Sequence, residues 1–315
     1  MLEIIALLIG GGILLYFGAE SLVRGSASLA LRIGLTPLVV GLTVVACGTS
    51  APELVVSTKA ALDGQGAIAL GNVVGSNIFN IAVILGLAAL IQPIHIKPQL
   101  LRFDAPIMLG VSLLCWLLFL DGRLSRGGAA VFAVGIVIYT CSTIIWARRE
   151  KREISEHDLE QKKIFKKRYV ALDTLFIVVG LALLVVGARI FVNGAISIAK
   201  HWGVSEAIIG LTIVAAGTSL PELVTSVVAA LRKKDDIAVG NIIGSNVFNI
   251  LGILGVAGLI KPLDAGGVST VDFIVMIAVA IGLFILMKTK NIIARWEGVL
   301  LLLSYGGYLW WLWPR

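Results

Sequence analysis

The segment GTSAPELVVSTKAALDGQGAIALGNVVGSNIFNI, residues 48–81, recurs as GTSLPELVTSVVAALRKKDDIAVGNIIGSNVFNI at residues 217–250. The alignment runs without a gap over 54 residues from Gly41 and Gly210, an offset of 169, with about 33 identical positions. Upstream, GAESLVRGS at Gly18 matches GARIFVNGA at Gly187 more weakly. General membrane composition does not produce an ungapped match of this strength. The chain is therefore an internal duplication.

The composition is that of a membrane protein. Hydrophobic residues make up 58% of the chain, charged residues 14%, and the mean hydropathy is +0.98. Ordinary soluble domains are about one quarter charged, so a soluble domain is excluded. The net charge of +7 would be compatible with nucleic acid, but the basic residues lie in loops between apolar segments, where positive charge orients membrane proteins. We expect the lipid bilayer as a partner and no nucleic acid.

Apolar segments between helix-breaking residues predict ten membrane-spanning helices, each near the roughly 20 residues that cross a bilayer. They cover residues 2–23, 36–61, 67–92, 104–121, 127–147, 171–192, 204–231, 236–261, 270–287 and 294–313. A long polar segment at Arg148–Arg168 divides them into two sets of five. We predict an all-α polytopic membrane protein with a five-helix repeat at 1–147, a charged linker at 148–170 and a second repeat at 171–315. An odd number of spans per copy makes the second repeat inverted.

Loop charge favours one orientation of this topology. With the N-terminus outside, the inner loops hold about 19 of the 26 lysines and arginines, nine of them in the linker. We therefore predict a multi-pass protein of the plasma (cell inner) membrane. Both termini lie outside and the 148–170 linker is cytoplasmic in this prediction.

Glu53 and Glu222 occupy equivalent positions in the middle of apolar spans. A carboxylate at bilayer depth is costly and normally faces a cavity or a partner. A pseudo-two-fold axis in the membrane plane would bring the two together near the centre. Two close carboxylates cannot both stay ionised without a cation between them or a shared proton. We interpret the pair as the centre of a cation site.

A proline precedes each glutamate, Pro52 and Pro221. Proline has no N–H and clashes with the preceding turn, so the carbonyl about four residues earlier loses its helical partner. Freed carbonyl oxygens at membrane depth are tolerated only where another group satisfies them, and a bound ion would do so.

The other polar residues of the two copies are also oxygen donors. They are Thr49, Ser50, Ser76 and Asn80 in the first copy, and Thr218, Ser219, Ser245 and Asn249 in the second. Hydroxyl, amide, carbonyl and carboxylate oxygens are the ligands of hard cations such as Ca²⁺ and Na⁺, whereas soft metals prefer thiolate or imidazole. Small polar residues also pack helices together, and the Gly and Ser of GSN-x-FNI are expected to do both.

On these residues the sequence resembles the sodium/calcium exchangers of the calcium/cation antiporter superfamily, in their compact prokaryotic form. The resemblance rests on GTSAPEL at 48–54, GSNIFNI at 75–81, GTSLPEL at 217–223 and GSNVFNI at 244–250. It implies a central Ca²⁺ site formed by Glu53 and Glu222 with the carbonyls of Thr49 and Thr218. It also implies flanking Na⁺ sites, which draw on Ala46, Ser50, Ser76 and Asn80, and on Ala215, Ser219, Ser245 and Asn249.

The implied activity is secondary active antiport rather than enzyme catalysis. Na⁺ entry would drive Ca²⁺ export by alternating access, with the first and sixth spans sliding against the other helices, and no cofactor beyond the transported ions. The alternative is a Ca²⁺/H⁺ antiporter in which the same glutamates titrate. A channel or a scaffold is disfavoured, because the ligand residues are duplicated. Oligomeric state, ion affinities and physiological direction stay open, and a monomer is compatible with the sequence.

One position departs from part of the family. Several members, including the potassium-dependent branch, carry Asp at the position of Asn249, whereas both copies here carry Asn. Two glutamates balance one Ca²⁺ or two Na⁺, so a third Na⁺ would leave the central site positive unless water or carbonyl dipoles compensate. Potassium co-transport is correspondingly less expected.

Overall fold

The computed structural model describes residues 2–154, 167–202 and 215–312. The regular elements in these residues are helices apart from four two-residue strands, and turns and short loops connect them. The helices are α1 Leu2–Ile33, α2 Pro37–Thr49, α3 Ala51–Leu62, α4 Gly66–Ile91, α5 Leu100–Leu118, α6 Arg126–Ile154, α7 Lys167–His201, α8 Ala215–Thr218, α9 Leu220–Leu231, α10 Asp235–Ile260, α11 Thr270–Lys290 and α12 Arg295–Leu312. The strands are β1 Ile94–His95, β2 Arg123–Leu124, β3 Leu263–Asp264 and β4 Ile292–Ile293.

Seven described helices are long and apolar enough to cross a membrane, and an eighth span results if α2 and α3, bent by 48°, are counted as one. The predicted count of ten is not confirmed. The predicted span 204–231 begins in residues outside the described part, which leaves α9 as an apolar helix of 12 residues. Helix α12 has Arg295 and Glu297 in its first turn and is not among the seven. Residues 155–166 of the predicted linker also lie outside the described part.

Helices α4 and α10 form the centre of the molecule. Their most apolar windows are 67% and 83% buried, whereas those of the other spanning helices are 28–33% buried. The larger apolar core surrounds α4 and α10, with side chains from α5, α6, α11 and α12 packed against it. Because the GSN-x-FNI segments lie on α4 and α10, the predicted site residues are placed at the most enclosed depth of the fold.

Helices α1 and α7 extend about ten residues beyond the predicted spans 2–23 and 171–192, because polar residues near their ends interrupt the apolar pattern without ending the helix. They lie antiparallel in direct contact. Glycines recur at seven-residue spacing along the contact, at Gly11, Gly18 and Gly25 and at the equivalent Gly180, Gly187 and Gly194. A Cβ at Gly18 would lie 2.8 Å from the Leu184 nitrogen and 2.9 Å from the Gly180 oxygen. We call this contact between α1 and α7 the glycine seam, and its close backbone approach requires glycine.

The strands connect the two repeats. β1 pairs antiparallel with β4 (Ile94 with Ile293), and β2 pairs antiparallel with β3 (Arg123 with Asp264). At the offset of 169, β1 is equivalent to β3 and β2 to β4, so each pair joins one strand from each copy. We refer to the two ends of the molecule as the β1/β4 end and the β2/β3 end.

Candidate functional site

Both copies break a helix directly before the glutamate. Ser50 interrupts α2 and α3 with φ −80° and ψ 9°, and Ser219 interrupts α8 and α9 with φ −87° and ψ 8°. Pro52 falls in the first turn of α3, where its missing N–H leaves no intrahelical bond unmade. The break also places Glu53 in the first turn, where the positive end of the helix dipole stabilises a carboxylate.

Each glutamate is held by a serine of the other copy. Ser50 Oγ donates a hydrogen bond to Glu222 Oε1 (2.8 Å), and Ser219 Oγ donates one to Glu53 Oε1 (2.9 Å). Both glutamates are 1% exposed. The structure thus brings the two predicted carboxylates into one buried centre.

Four buried side-chain oxygens at this centre accept no hydrogen bond within the described part of the chain. They are Glu53 Oε2, Glu222 Oε2, Asn80 Oδ1 and Asn249 Oδ1. A buried acceptor without a donor is costly, and two of these four are carboxylate oxygens. All four are of the type that a hard cation binds, because carboxylate and amide oxygens are the ligands that Ca²⁺ prefers.

The orientation of the two site amides depends on Asn77 and Asn246, which the sequence interpretation did not single out. Asn80 Nδ2 donates to Asn246 Oδ1, and Asn249 Nδ2 donates to Asn77 Oδ1, both at 3.0 Å. Asn77 and Asn246 also donate to each other's backbone oxygens, at 3.1 and 3.3 Å. With their nitrogens engaged in this way, Asn80 and Asn249 have their oxygens left for a ligand. The signal in the sequence was the first Asn of each GSN-x-FNI segment.

A π-helical turn begins at each site asparagine, over Asn80–Leu85 in α4 and Asn249–Leu254 in α10. Such turns are rare and are concentrated at functional sites. The wider turn changes the direction of the side chains that follow in the helix. The sequence offered no pattern that predicted it.

A further pair, Asn72 and Asn241, supports the backbone of the glutamates. Asn72 Nδ2 donates to the Glu53 carbonyl (3.3 Å), and Asn241 Nδ2 donates to the Glu222 carbonyl (3.4 Å). Thr49 Oγ1 in turn donates to Asn241 Oδ1 (3.0 Å). These asparagines were missed as well, although both are identical between the copies and lie in otherwise apolar helices.

The remaining predicted residues surround this centre. Ser76 Oγ lies 3.2 Å from Ser219 Oγ, whose proton is donated to Glu53, and Ser245 Oγ donates to the Ala46 carbonyl (3.4 Å). That carbonyl also accepts from the Ser50 nitrogen (3.1 Å). Helix α8 begins at Ala215 and ends at Thr218, and the latter lines a cleft beside the site.

The two approaches to the centre differ. A cavity of about 270 Å³ reaches Pro52 and Thr218 between α7 and α3, towards the β2/β3 end. Val56 in its wall is 38% exposed, whereas the equivalent Thr225 is fully buried, because α1 packs against α9 at the opposite approach. A cleft therefore approaches the buried site from one end of the molecule, whereas the equivalent approach from the other end is filled by packing.

The chain matches known proteins over nearly its whole length. The family profile described as "Sodium/calcium exchanger protein" matches residues 3–145 and 172–313. The inner membrane protein YrbG of Escherichia coli (strain K12) is 38% identical over 315 residues, which cover 99% of this chain and 96% of that protein. The sodium/calcium exchanger MaX1 of Methanosarcina acetivorans is 35% identical over 342 residues, 96% of each chain. A solved structure of the sodium-calcium exchanger NCX_Mj, soaked without Na⁺ and Ca²⁺, superposes with a TM-score of 0.86 at 32% identity over 99% of each chain.

An all-helical bundle with apolar spans and a buried pair of carboxylates defines an integral membrane ion transporter. More narrowly, the chain belongs to the sodium/calcium exchanger family of the calcium/cation antiporter superfamily, in its prokaryotic form. Its relatives are transporters rather than enzymes, and the coarse activity of the family is antiport of Ca²⁺ against another cation.

Proposed function

We propose that this protein exchanges Na⁺ for Ca²⁺ by alternating access, with ten spans arranged as two inverted five-helix repeats. The observation that carries the ion site is the set of four buried oxygens without donors at the meeting point of the two copies. The family profile supports repeat boundaries at 1–147 and 171–315 with a linker between them, because its two matched segments are 3–145 and 172–313.

The proposed Ca²⁺ ligands are the carboxylates of Glu53 and Glu222 with the carbonyls of Thr49 and Thr218. The proposed Na⁺ ligands flank them. They come from Ala46, Ser50, Ser76 and Asn80, and from Ala215, Ser219, Ser245 and Asn249. Because two carboxylates balance one Ca²⁺ or two Na⁺, the ions compete for the same charge, and competition for shared ligands is what exchange requires.

In the proposed orientation the β1/β4 end faces the cytoplasm, with both termini outside and the 148–170 linker inside. Basic residues near the β1/β4 end support this assignment. They are Lys97, Arg102, Arg232, Lys233 and Lys234. The open cleft then faces the outside, and the protein is in an outward-facing state.

Tracer flux in proteoliposomes tests the coupling ion. The purified protein is reconstituted, and ⁴⁵Ca²⁺ uptake is measured under an imposed Na⁺ gradient and under an imposed H⁺ gradient, each with and without K⁺. We expect uptake that follows the Na⁺ gradient and is unchanged by K⁺. Uptake driven by the H⁺ gradient and indifferent to Na⁺ would replace the proposal by Ca²⁺/H⁺ antiport, in which the glutamates exchange Ca²⁺ for protons.

A further inference from the structure

The closed approach is held by an ion pair between α1 and the end of α9. Glu20 of α1 is 8% exposed. Arg232, which caps the C-terminus of α9, donates a hydrogen bond from Nε to Glu20 Oε2 at 2.9 Å, and its Nη2 lies 2.9 Å from Glu20 Oε1 as an ion-pair contact. Arg24 also pairs with Glu20. A two-pronged guanidinium–carboxylate contact fixes geometry as well as charge. Since α9 carries Glu222 in its first turn, the pair ties α1 to a helix of the ion site.

The duplication places an equivalent pair of charged residues at the open approach, with the positions of acid and base exchanged. At the offset of 169, Glu20 is equivalent to Arg189, and Arg232 is equivalent to Asp63. Asp63 caps the C-terminus of α3 just as Arg232 caps that of α9. The acid and the base have exchanged helices, so each of the two pairs still consists of one acidic and one basic residue.

In this structure the second pair is apart. Arg189 lines the 270 Å³ cleft between α7 and α3. Both Arg189 and Asp63 are exposed, and neither has an ion-pair partner in the described part of the chain. The position of Asp63 is also unfavourable for its own helix, because a carboxylate at a helix C-terminus opposes the dipole. Helix stability therefore does not explain an acid there.

We propose that Arg189 and Asp63 form a second ion pair that closes the β2/β3 approach when the Glu20–Arg232 pair separates, so that the two pairs alternate during transport. The proposal rests on alternating access as proposed above, and it assigns these four residues as positioning residues of the cycle.

The packing of α1 on α7 explains why the two pairs would alternate. The glycine seam joins the helices at backbone contact, and Arg32 of α1 pairs with Asp173 of α7. The two helices therefore move as one body. Displacing that body along its axis brings α7 towards α3 while drawing α1 away from α9, because the helices face opposite approaches.

Reversible crosslinking tests the proposal without any ion gradient. Cys47, Cys115 and Cys141 are first replaced by alanine, and paired cysteines are introduced as Asp63→Cys with Arg189→Cys, and as Glu20→Cys with Arg232→Cys. A short bifunctional methanethiosulfonate is added to the reconstituted protein, and linked peptides are identified by mass spectrometry. We expect both cysteine pairs to crosslink and each link to abolish Ca²⁺ exchange. Reduction of the link should restore the rate that the same variant had before crosslinking.

Arg32→Cys with Asp173→Cys is the matched control. This pair joins α1 to α7 within the moving body, so it should crosslink with exchange retained. Absence of the Asp63–Arg189 link under conditions that link the control, or exchange that persists through it, overturns the proposal. Because the linking yield is read before any transport assay, a wrong coupling ion would leave it unchanged, and the two proposals fail separately.

Charge exchange separates an ion pair from a merely structural role. Arg189→Glu alone and Asp63→Arg alone should each slow exchange by about twofold to fivefold, the range expected for an exposed pair. The double variant should recover at least half of the original rate. Failure of recovery in a correctly folded double variant, judged by an unchanged elution profile, overturns the proposal.

Discussion

At the scale of single residues, the proposed ion site depends on hydrogen bonds that cross between the copies. Ser50 and Ser219 each engage one oxygen of the opposite glutamate and leave the second oxygen without a donor. Neither serine could be assigned this partner from the sequence, because each bond joins residues more than 160 positions apart. The sequence did identify the serines as site residues through their repetition.

Neutralising either glutamate should abolish exchange. In Glu53→Gln or Glu222→Gln the amide oxygen still accepts the serine hydrogen bond, so the fold is kept while one negative charge is lost. We expect Ca²⁺ exchange to fall by roughly 100-fold or more, since even supporting residues of ion sites contribute 10–100-fold. Glu297→Gln is the control, because Glu297 is equally buried but binds the Ala294 backbone nitrogen outside the site. Normal exchange in both site variants would remove the assignment.

Removing the asparagines that support the glutamate backbone should weaken the site without destroying it. Asn72→Ala or Asn241→Ala deletes the bond to the Glu53 or Glu222 carbonyl. We expect the apparent Ca²⁺ affinity, measured by isothermal titration of the purified protein, to fall about tenfold. Gln99→Ala removes an amide that donates to Asp104 away from the site and should leave the affinity unchanged. Equal affinities in all three variants would show that these asparagines do not position the ligands.

At the scale of elements, the described helices agree with the predicted spans where hydropathy is uniform and differ where polar residues intrude. Helices α4 and α10 begin within one residue of the predicted starts at 67 and 236. Helix α1 is longer than predicted, because Glu20, Arg24 and Arg32 find charged partners and do not end the helix. Hydropathy shows that a charged residue is present, but it does not show whether another residue pairs with that charge.

The glycine seam yields a prediction about stability. Gly18→Leu would place a side chain against the backbone of Gly180 and Leu184. We expect thermal unfolding of the purified protein to show a loss of about 1–3 kcal/mol, typical of overpacking. Gly12→Leu on the same helix is the matched control, because nothing lies within 4 Å of its added Cβ. A similar melting temperature for both variants would mean that the helices are not in close contact in the membrane.

At the scale of the whole molecule, the asymmetry between two similar copies is the main finding. One approach to the centre is an open cleft and the other is closed by packing and an ion pair. An ideal two-fold arrangement would make the approaches equal and would offer no directed access. Two copies in different conformations allow a single buried site to be reached from one end at a time.

The proposed orientation can be tested by labelling. On the cysteine-free background, Lys261→Cys lies beside Gly64 at the β2/β3 end, and Lys97→Cys lies beside Asp236 at the β1/β4 end. A membrane-impermeant maleimide should label the first in intact cells and the second only after permeabilisation. The opposite pattern would reverse the proposed topology and place the open cleft in the cytoplasm.

The sequence by itself determined the membrane class, the duplication and the family, because hydropathy and residue identity can be read along the chain without knowing any contact. It also singled out both glutamates and the surrounding oxygen donors, whose role as ion ligands stays a prediction. Only the tertiary structure decided which oxygens are left without donors, how Asn77 and Asn246 orient the site amides, and which approach is open. Those properties arise from contacts between residues of different copies, and a linear pattern does not contain the distances between them.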